Sequence, residues 1–324
     1  MRYLQASVLL PLYARDSTTP ARGIPIRFTE VPHLKKPSRF AKDEVWDKYR
    51  AESKTHNLSK SFISMAEGLR AQLDKSHAPK KHLLLIGGGS FCNRTCFRHE
   101  LERTSLLART RKDAKLCFQS TSENKNQFYS ADKFTPEEVR QDDSIPWQNA
   151  SIFHGGQFRA IRYKTIDRVL WQGGGGKRFL RLIVIAPIAY RITKKGKYMY
   201  RMPSYLLCTG PDLPTHKLIQ SYFDRWEIEV NFRDEKTVLG VGKAQVWSPA
   251  SVRKQPAFLV ASYALFLLAS LVAYGPSRSS DYLPHPKWRR KARRPSCLDL
   301  VHLLRREVQQ NIEFQTDFKF NLAS

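Results

Sequence analysis

Apolar and polar positions change period several times along this 324-residue chain, and each change marks an expected element. Residues 1 to 30 read as two strands, RYLQASVLLPLYA and GIPIRFTEV, joined across the turn-rich DSTTPAR, which predicts a hairpin. Between Ala41 and Asp74, Val45, Tyr49, Ile63, Met65 and Leu69 recur among charges and predict a long helix with a break near Asn57. HLLLIGG, His82 to Gly88, has the form of a short buried strand, followed by a helix around Arg94 to Arg103 and a strand at Ser105 to Arg111. Strand, helix, strand after a hairpin and a crossover helix is an α/β pattern. Lys115 to Gln157 is polar and reads as loop. From Phe158 the alternation predicts β structure, with FRAIRYKTIDRVLW and KRFLRLIVIAPIAYR joined by Gly173 to Gly176 and followed by YMYRMPSYLLCT. The glycine run with Lys177 fails the Walker spacing, and Arg178 stands where Ser or Thr is needed, so it reads as a hairpin turn.

The densest pattern is Tyr222 to Lys236, YFDRWEIEVNFRDEK. On a single helix at about 100° per residue, Tyr222, Arg225, Glu229, Arg233 and Lys236 fall within roughly an 80° stripe. Ile219, Phe223, Trp226 and Val230 flank it on one side and Ile228 and Phe232 on the other, while Asp224, Glu227, Asn231 and Glu235 lie opposite. A solvated helix has one apolar stripe and one polar arc. Two apolar flanks predict that the polar stripe between them lines a site; the competing reading is a set of surface ion pairs of small value. Farther on, Ala257 to Gly275 carries no charge over 19 residues, enough for a membrane span by length. Its two Ser, two Tyr and the strongly basic segment beyond argue against one. That segment, SRSSDYLPHPKWRRKARRP, sets Lys287, Arg289, Arg290, Lys291, Arg293 and Arg294 close to Trp288, a solvated tether that is also a candidate phosphate contact. Ser296 and Asp299 predict a capping box for a last helix.

Charge narrows the partners. With 55 Lys and Arg against 29 Asp and Glu, the formal charge is +26, which attracts polyanions and speeds association with them. Nucleic acid is the expected partner, an anionic membrane the runner-up. Six Trp, 18 Phe and 13 Tyr mark a folded protein rather than a basic tail. Five cysteines without framework spacing fit a reducing cytosol and not a secreted disulfide scaffold. Cys92 and Cys96, with His99 nearby, lack a second ligand pair at zinc-finger spacing and read as idle thiols. The N-terminal MRYLQASVLLPLYAR has no small-residue cleavage site and reads as a strand, not a signal peptide.

Tyr222, Arg225, Glu229 and Lys236 stand at fixed spacing, followed by a Leu-Gly-x-Gly turn at Leu239 to Gly242, AQVWSPASV and the long apolar stretch. This resembles the Tyr-Arg-Glu-Lys signature of insertion-sequence DDE transposases. The resemblance implies an α/β fold with an RNase H-like (ribonuclease H-type) catalytic core, an inserted β-rich subdomain and C-terminal helices. Residues 1–114 would be the first part of the core, 115–212 the insertion, 213–275 the second part with the signature helix, and 276–324 a basic linker and last helix. It also implies cut-and-paste transposition, with metal-dependent cleavage of transposon ends and strand transfer. Three acids would hold two Mg²⁺ or Mn²⁺ ions about 4 Å apart. Glu229 matches the catalytic, metal-binding Glu; Tyr222, Arg225 and Lys236, with Arg233 on the same stripe, match contacts to the DNA end. The implied partners are double-stranded DNA and a second copy or a full-length transposase. The implied location is cytoplasmic and nucleoid-associated, without a membrane, and 257–275 would be a buried core helix.

The chain departs from that pattern twice. After HLLLIG the family has Gly-Asp-Gly-Ser, and here Gly87, Gly88, Gly89 and Ser90 put Gly88 where the second Asp belongs. RYLQASVLLPL resembles the family's second strand, so the first strand, its Asp and the N-terminal DNA-binding region are expected upstream of Met1; Asp16 in the hairpin turn is a poor substitute. The expectation is therefore an N-terminally truncated transposase with one of three acids and very weak or no cleavage. The alternatives are a non-enzymatic DNA-binding remnant or regulator of transposition, and a membrane-associated basic protein.

Overall fold

The computed structural model describes residues 2–31, 34–121, 127–193, 196–285 and 293–310. In chain order the elements are β1 (Arg2–Leu10), α1 (Tyr13–Asp16), β2 (Arg22–Val31), α2 (Asp43–Thr55), α3 (Leu58–Asp74), β3 (Leu83–Gly87), α4 (Arg94–Arg98), β4 (Thr104–Arg109), β5 (Leu116–Gln119), β6 (Tyr129–Phe134) and α5 (Pro136–Gln141). Then come β7 (Gln148–His154), β8 (Gln157–Trp171), β9 (Gly176–Ile185), β10 (Ile188–Tyr190), β11 (Met199–Arg201), β12 (Ser204–Cys208), α6 (Thr215–Asp224), α7 (Glu227–Thr237), α8 (Pro249–Tyr274) and α9 (Cys297–Gln310). They divide into two compact units. The first takes the start of β1, Glu30–Ile152 and Phe158–Phe223; the second takes Gln5–Thr29, Phe153–Gln157 and the chain from Asp224 on.

The first unit is a mixed α/β sheet of eight strands in the order β3-β4-β12-β9-β8-β5-β6, with β7 also paired to β8. β3 and β4 run parallel, and β4, β12, β9 and β8 are antiparallel in succession. Side chains alternate across it. Leu180, Leu182 and Val184 of β9 meet Leu207 of β12 and Ala108 of β4 on one face, under Phe97 of α4 and Val139 of α5. Ile183, Ile185, Leu206 and Leu107 meet on the other, under Leu218 and Ile219 of α6. Burial on both faces explains why these strands read as continuous apolar runs.

Several expectations are met locally. The break near Asn57 separates α2 from α3, whose first turn Asn57 caps by accepting from Lys60 N at 3.0 Å. The glycine run is the β8–β9 hairpin turn. Gly174 N and Gly175 N both donate to Trp171 O, at 3.0 and 2.7 Å, and a Cβ on Gly174 would lie 2.2 Å from the Trp171 ring. The loop expected over Lys115 to Gln157 is instead β5, β6, α5 and β7. Short strands with exposed polar positions carry little period-2 signal, although α5 has a legible start. Thr135 and Glu138 form a capping box, at 3.2 and 2.7 Å, with Pro136 in the first turn. The strands of 115–212 continue the sheet of β3 and β4, so the sheet runs through the boundary expected at residue 114.

The second unit holds the β1–β2 pair and α7, α8 and α9 around Ile24, Tyr263, Leu267, Cys297, Leu300 and Leu303. The capping box of α9 forms as expected: Ser296 N donates to Asp299 Oδ2 at 2.8 Å and Asp299 N to Ser296 Oγ at 3.2 Å. The buried core helix expected at 257–275 is corrected. α8 buries Pro256, Val260, Tyr263 and Leu267 along one stripe and leaves Phe258, Leu265, Leu268 and Val272 exposed. Among the described residues, neighbours cover only one of its sides, and it is long and apolar enough to cross a membrane.

Candidate functional site

The signature stretch is not one helix. α6 ends at Asp224 and α7 begins at Glu227, with Arg225 and Trp226 forming the bend. Asp224 is anchored where α6 stops: the Tyr13 hydroxyl donates to its Oδ2 at 2.6 Å, and the Tyr13 ring stacks on Phe153 with centroids 4.9 Å apart. Past the bend, Ile228 N and Glu229 N donate to Arg225 O and Trp226 O, three residues back, at 3.1 and 2.9 Å, in the tight geometry of a restarted helix. The expected stripe is therefore divided. Tyr222 belongs to α6, packed with Phe223 against the sheet of the first unit; Arg225, Glu229, Arg233 and Lys236 belong to the second.

The orientation of α7 also corrects the expectation. Of the arc placed opposite the stripe, Asp224 ends α6, while Glu227, Asn231 and Glu235 are buried on α7, where Asp234 joins them to give i, i+4, i+7 and i+8. Each has a partner, as burial of polar groups demands. Glu227 accepts from Arg294 Nη1 at 2.7 Å, and Asn231 Nδ2 donates to Ser7 Oγ at 3.0 Å. Asp234 accepts from the Tyr263 hydroxyl at 3.2 Å, and Glu235 from Gln5 Nε2 at 2.9 Å. β2 comes close enough that a Cβ on Gly23 would lie 3.0 Å from Glu227 Cβ. Burial pushes the Glu235 carboxyl up to about 7, against the pull of the Gln5 hydrogen bond.

On the outer side, Arg225 Nη2 pairs with Glu229 Oε1 at 3.2 Å, and the Glu229 side chain is 41% exposed. Arg233 and Lys236 are exposed. Arg233 reaches Asp234 at 3.0 Å, and Lys236 in the last turn suits the negative end of the helix dipole. Lys287, Arg289, Arg290 and Lys291 lie outside the described residues.

Gly88 follows the edge strand β3 with φ −75° and ψ −178°, an extended conformation open to any residue. A Cβ built there meets nothing within 4 Å. At this end of β3 and β4 lies a cleft of about 650 Å³ lined by Gly89, Arg109, Arg111 and Asp113 among others, where open α/β sheets bind ligands. Its one carboxylate among the lining residues, Asp113, is gripped by Arg111 at 2.6 and 2.9 Å, which holds it below the usual carboxylate range.

Among the described residues no three His, Cys, Asp or Glu side chains converge as a metal ion requires. The three acids of the α7 arc each serve a separate partner. Gly88 offers no ligand, so the residues present do not fit a pair of hard divalent ions, which need several carboxylate oxygens. Cys92 is pushed up to about 11 by burial, and Cys96 is raised by the same cause, which keeps both as thiols. Sequence reasoning missed the burial of the arc and its partners Gln5, Ser7, Tyr263 and Arg294. The available signal was a polar i, i+4, i+7, i+8 repeat in a helix with no single apolar face. The chain matches no protein-family model and no curated protein.

Proposed function

We propose that this chain is a DDE-type transposase relative with an RNase H-like core. In this reading it binds double-stranded DNA such as transposon ends, and as it stands it is defective in cleaving them. The observation that carries this is the gap-free spacing of Tyr222, Arg225, Glu229 and Lys236, with Arg225 and Glu229 paired at 3.2 Å at the head of α7. Support comes from the parallel β3–α4–β4 unit and from Gly88 directly after β3, the expected place of an acid. β3 also ends its sheet as an edge strand of half-buried Leu and Ile, where an RNase H-like sheet would seat a further strand. The +26 charge supplies the affinity for DNA, and DNA as partner makes the protein cytoplasmic and nucleoid-associated. Mg²⁺ or Mn²⁺, which the resemblance implies, would meet the carboxylate of Glu229 and, at the place of the second acid, Gly88, which offers no ligand. A remnant that binds DNA without cutting it, and so regulates transposition, fits that donor set.

A plasmid-nicking assay with Mn²⁺ beside a duplex-binding titration tests the proposal. The expected result is salt-sensitive binding without nicking, with binding weakened about tenfold in Arg225→Ala with Lys236→Ala. Nicking that disappears in Glu229→Ala would show the site to be intact and the reading of Gly88 mistaken. A second reading, attachment to a membrane through the exposed apolar side of α8, is favoured by Phe258, Leu265, Leu268 and Val272. Flotation with anionic liposomes in high salt separates the two readings, because charge-driven adhesion is screened there and insertion is not.

A further inference from the structure

A cleft of about 340 Å³ in the second unit is lined by four arginines, Arg22, Arg233, Arg293 and Arg294, drawn from β2, α7 and the segment before α9. Two of them are already answered. Arg294 pairs with Glu227 at 2.7 Å and Arg233 with Asp234 at 3.0 Å. The other two are in excess. Arg22 is 4% exposed, and the one hydrogen bond of its guanidinium among the described residues goes to Pro295 O at 2.6 Å. A guanidinium has five donors, and a buried charge without an opposite charge in contact is costly. Burial, and then the nearby Arg294, push Arg22 down to about 10, while Glu227 and Asp234 act on it only through space. Arg293 is exposed at the rim of the same cleft.

We propose that this cleft binds one phosphate group, with Arg22 as the buried anchor and Arg293 as the exposed clamp. Guanidinium forks pair with phosphate oxygens two at a time, and a phosphate offers more oxygens and more charge than a carboxylate to arginines approaching from separate segments. The phosphate is either a free ion or part of a nucleic-acid backbone; the recognising chemistry is the same. This site rests on the cleft and not on the transposase reading.

The test is the thermal unfolding of the full chain titrated with inorganic phosphate against chloride at matched ionic strength, with calorimetry for stoichiometry. The expected result is a saturable rise of a few degrees with one phosphate per chain. Arg293→Ala, at an exposed position, should keep the fold and weaken phosphate about tenfold. Arg22→Met, checked by circular dichroism, should abolish the saturable response. A short DNA duplex that displaces the phosphate identifies the backbone as the source; a duplex that binds independently of it identifies the free ion. No response beyond chloride, or an unaltered response in Arg293→Ala, overturns the site. The DNA reading is scored separately, since Arg225→Ala with Lys236→Ala should weaken duplex binding about tenfold and keep the phosphate response.

Discussion

In β9, Leu180, Leu182 and Val184 alternate with Ile183 and Ile185, and all five are buried; α7 buries Glu227, Asn231, Asp234 and Glu235 to a similar depth. The strand gains about 25 cal/mol for each Å² of apolar surface removed from water, whichever apolar neighbour supplies the cover. The helix gains nothing from burial alone. Its face is tolerable only because Arg294, Ser7, Tyr263 and Gln5 each meet a named group. One region is therefore held by volume and the other by pairing.

The largest effect expected from breaking this contrast is in the helix. Glu227→Ala leaves the half-buried Arg294 without its carboxylate and should cost about 3–5 kcal/mol in urea unfolding followed by hydrogen exchange in α7. Glu227→Leu combined with Arg294→Met should recover most of that loss, since an ion pair replaced whole by apolar groups is often neutral. A double variant as unstable as the single one would mean that α7 is held by something other than pairing. In the sheet, Leu207→Ala should cost about 3 kcal/mol and Leu207→Met under about 1.5 kcal/mol, because volume alone matters there.

Lys164 sharpens the contrast from inside the sheet. It is fully buried on β8, and its ammonium donates to Val139 O, Arg140 O and Asp142 O, at 3.2, 3.1 and 2.6 Å. These are carbonyls at the end of α5, the negative pole of that helix, and the Trp147 ring centroid lies 4.7 Å away. Lys164→Met keeps the volume and removes three charged hydrogen bonds, so a loss of about 2 kcal/mol is expected. A neutral result would place Lys164 with the volume-held strands.

The same contrast decides what was legible in the sequence. The apolar runs of β3, β4, β8, β9 and β12, the break at Asn57 and the capping box at Ser296 are local patterns, and they mark true elements. The buried face of α7 is not such a pattern, because a polar arc that faces partners and one that faces water have the same residue types. The bend at Arg225 and Trp226 was equally hidden. It depends on Tyr13 holding Asp224, a contact between residues 211 positions apart. The exposure of α8 followed the same rule, since composition gives the apolar content and not the number of sides covered.

Acid and base sharpen the comparison more gently. In the folded chain burial pushes Glu235 up to about 7, from an ordinary 4.5. The folded state then binds this proton more tightly than the unfolded one. Stability from this group is whole below about pH 4.5 and is lost as the pH rises through about 7. Unfolding free energy measured from pH 5 to 8 should fall by about 1–2 kcal/mol, and Glu235→Gln should flatten that slope. A slope unchanged in the variant would assign it to another group.

The smallest effect is expected where a side chain is missing. Gly88→Asp places a Cβ that meets nothing within 4 Å on a backbone that any residue adopts, so stability should change by less than about 0.5 kcal/mol. One position earlier the outcome differs: a Cβ on Gly87 meets Phe91 Cβ at 3.0 Å, and Gly87→Ala should cost about 1–3 kcal/mol by overpacking. The pair separates a glycine kept for space from one that space does not require. If Gly88→Asp costs more than Gly87→Ala, the end of β3 is closed to a carboxylate and the resemblance loses its second acid. If it costs nothing, the position is open to a carboxylate, and the resemblance keeps a place for its second acid.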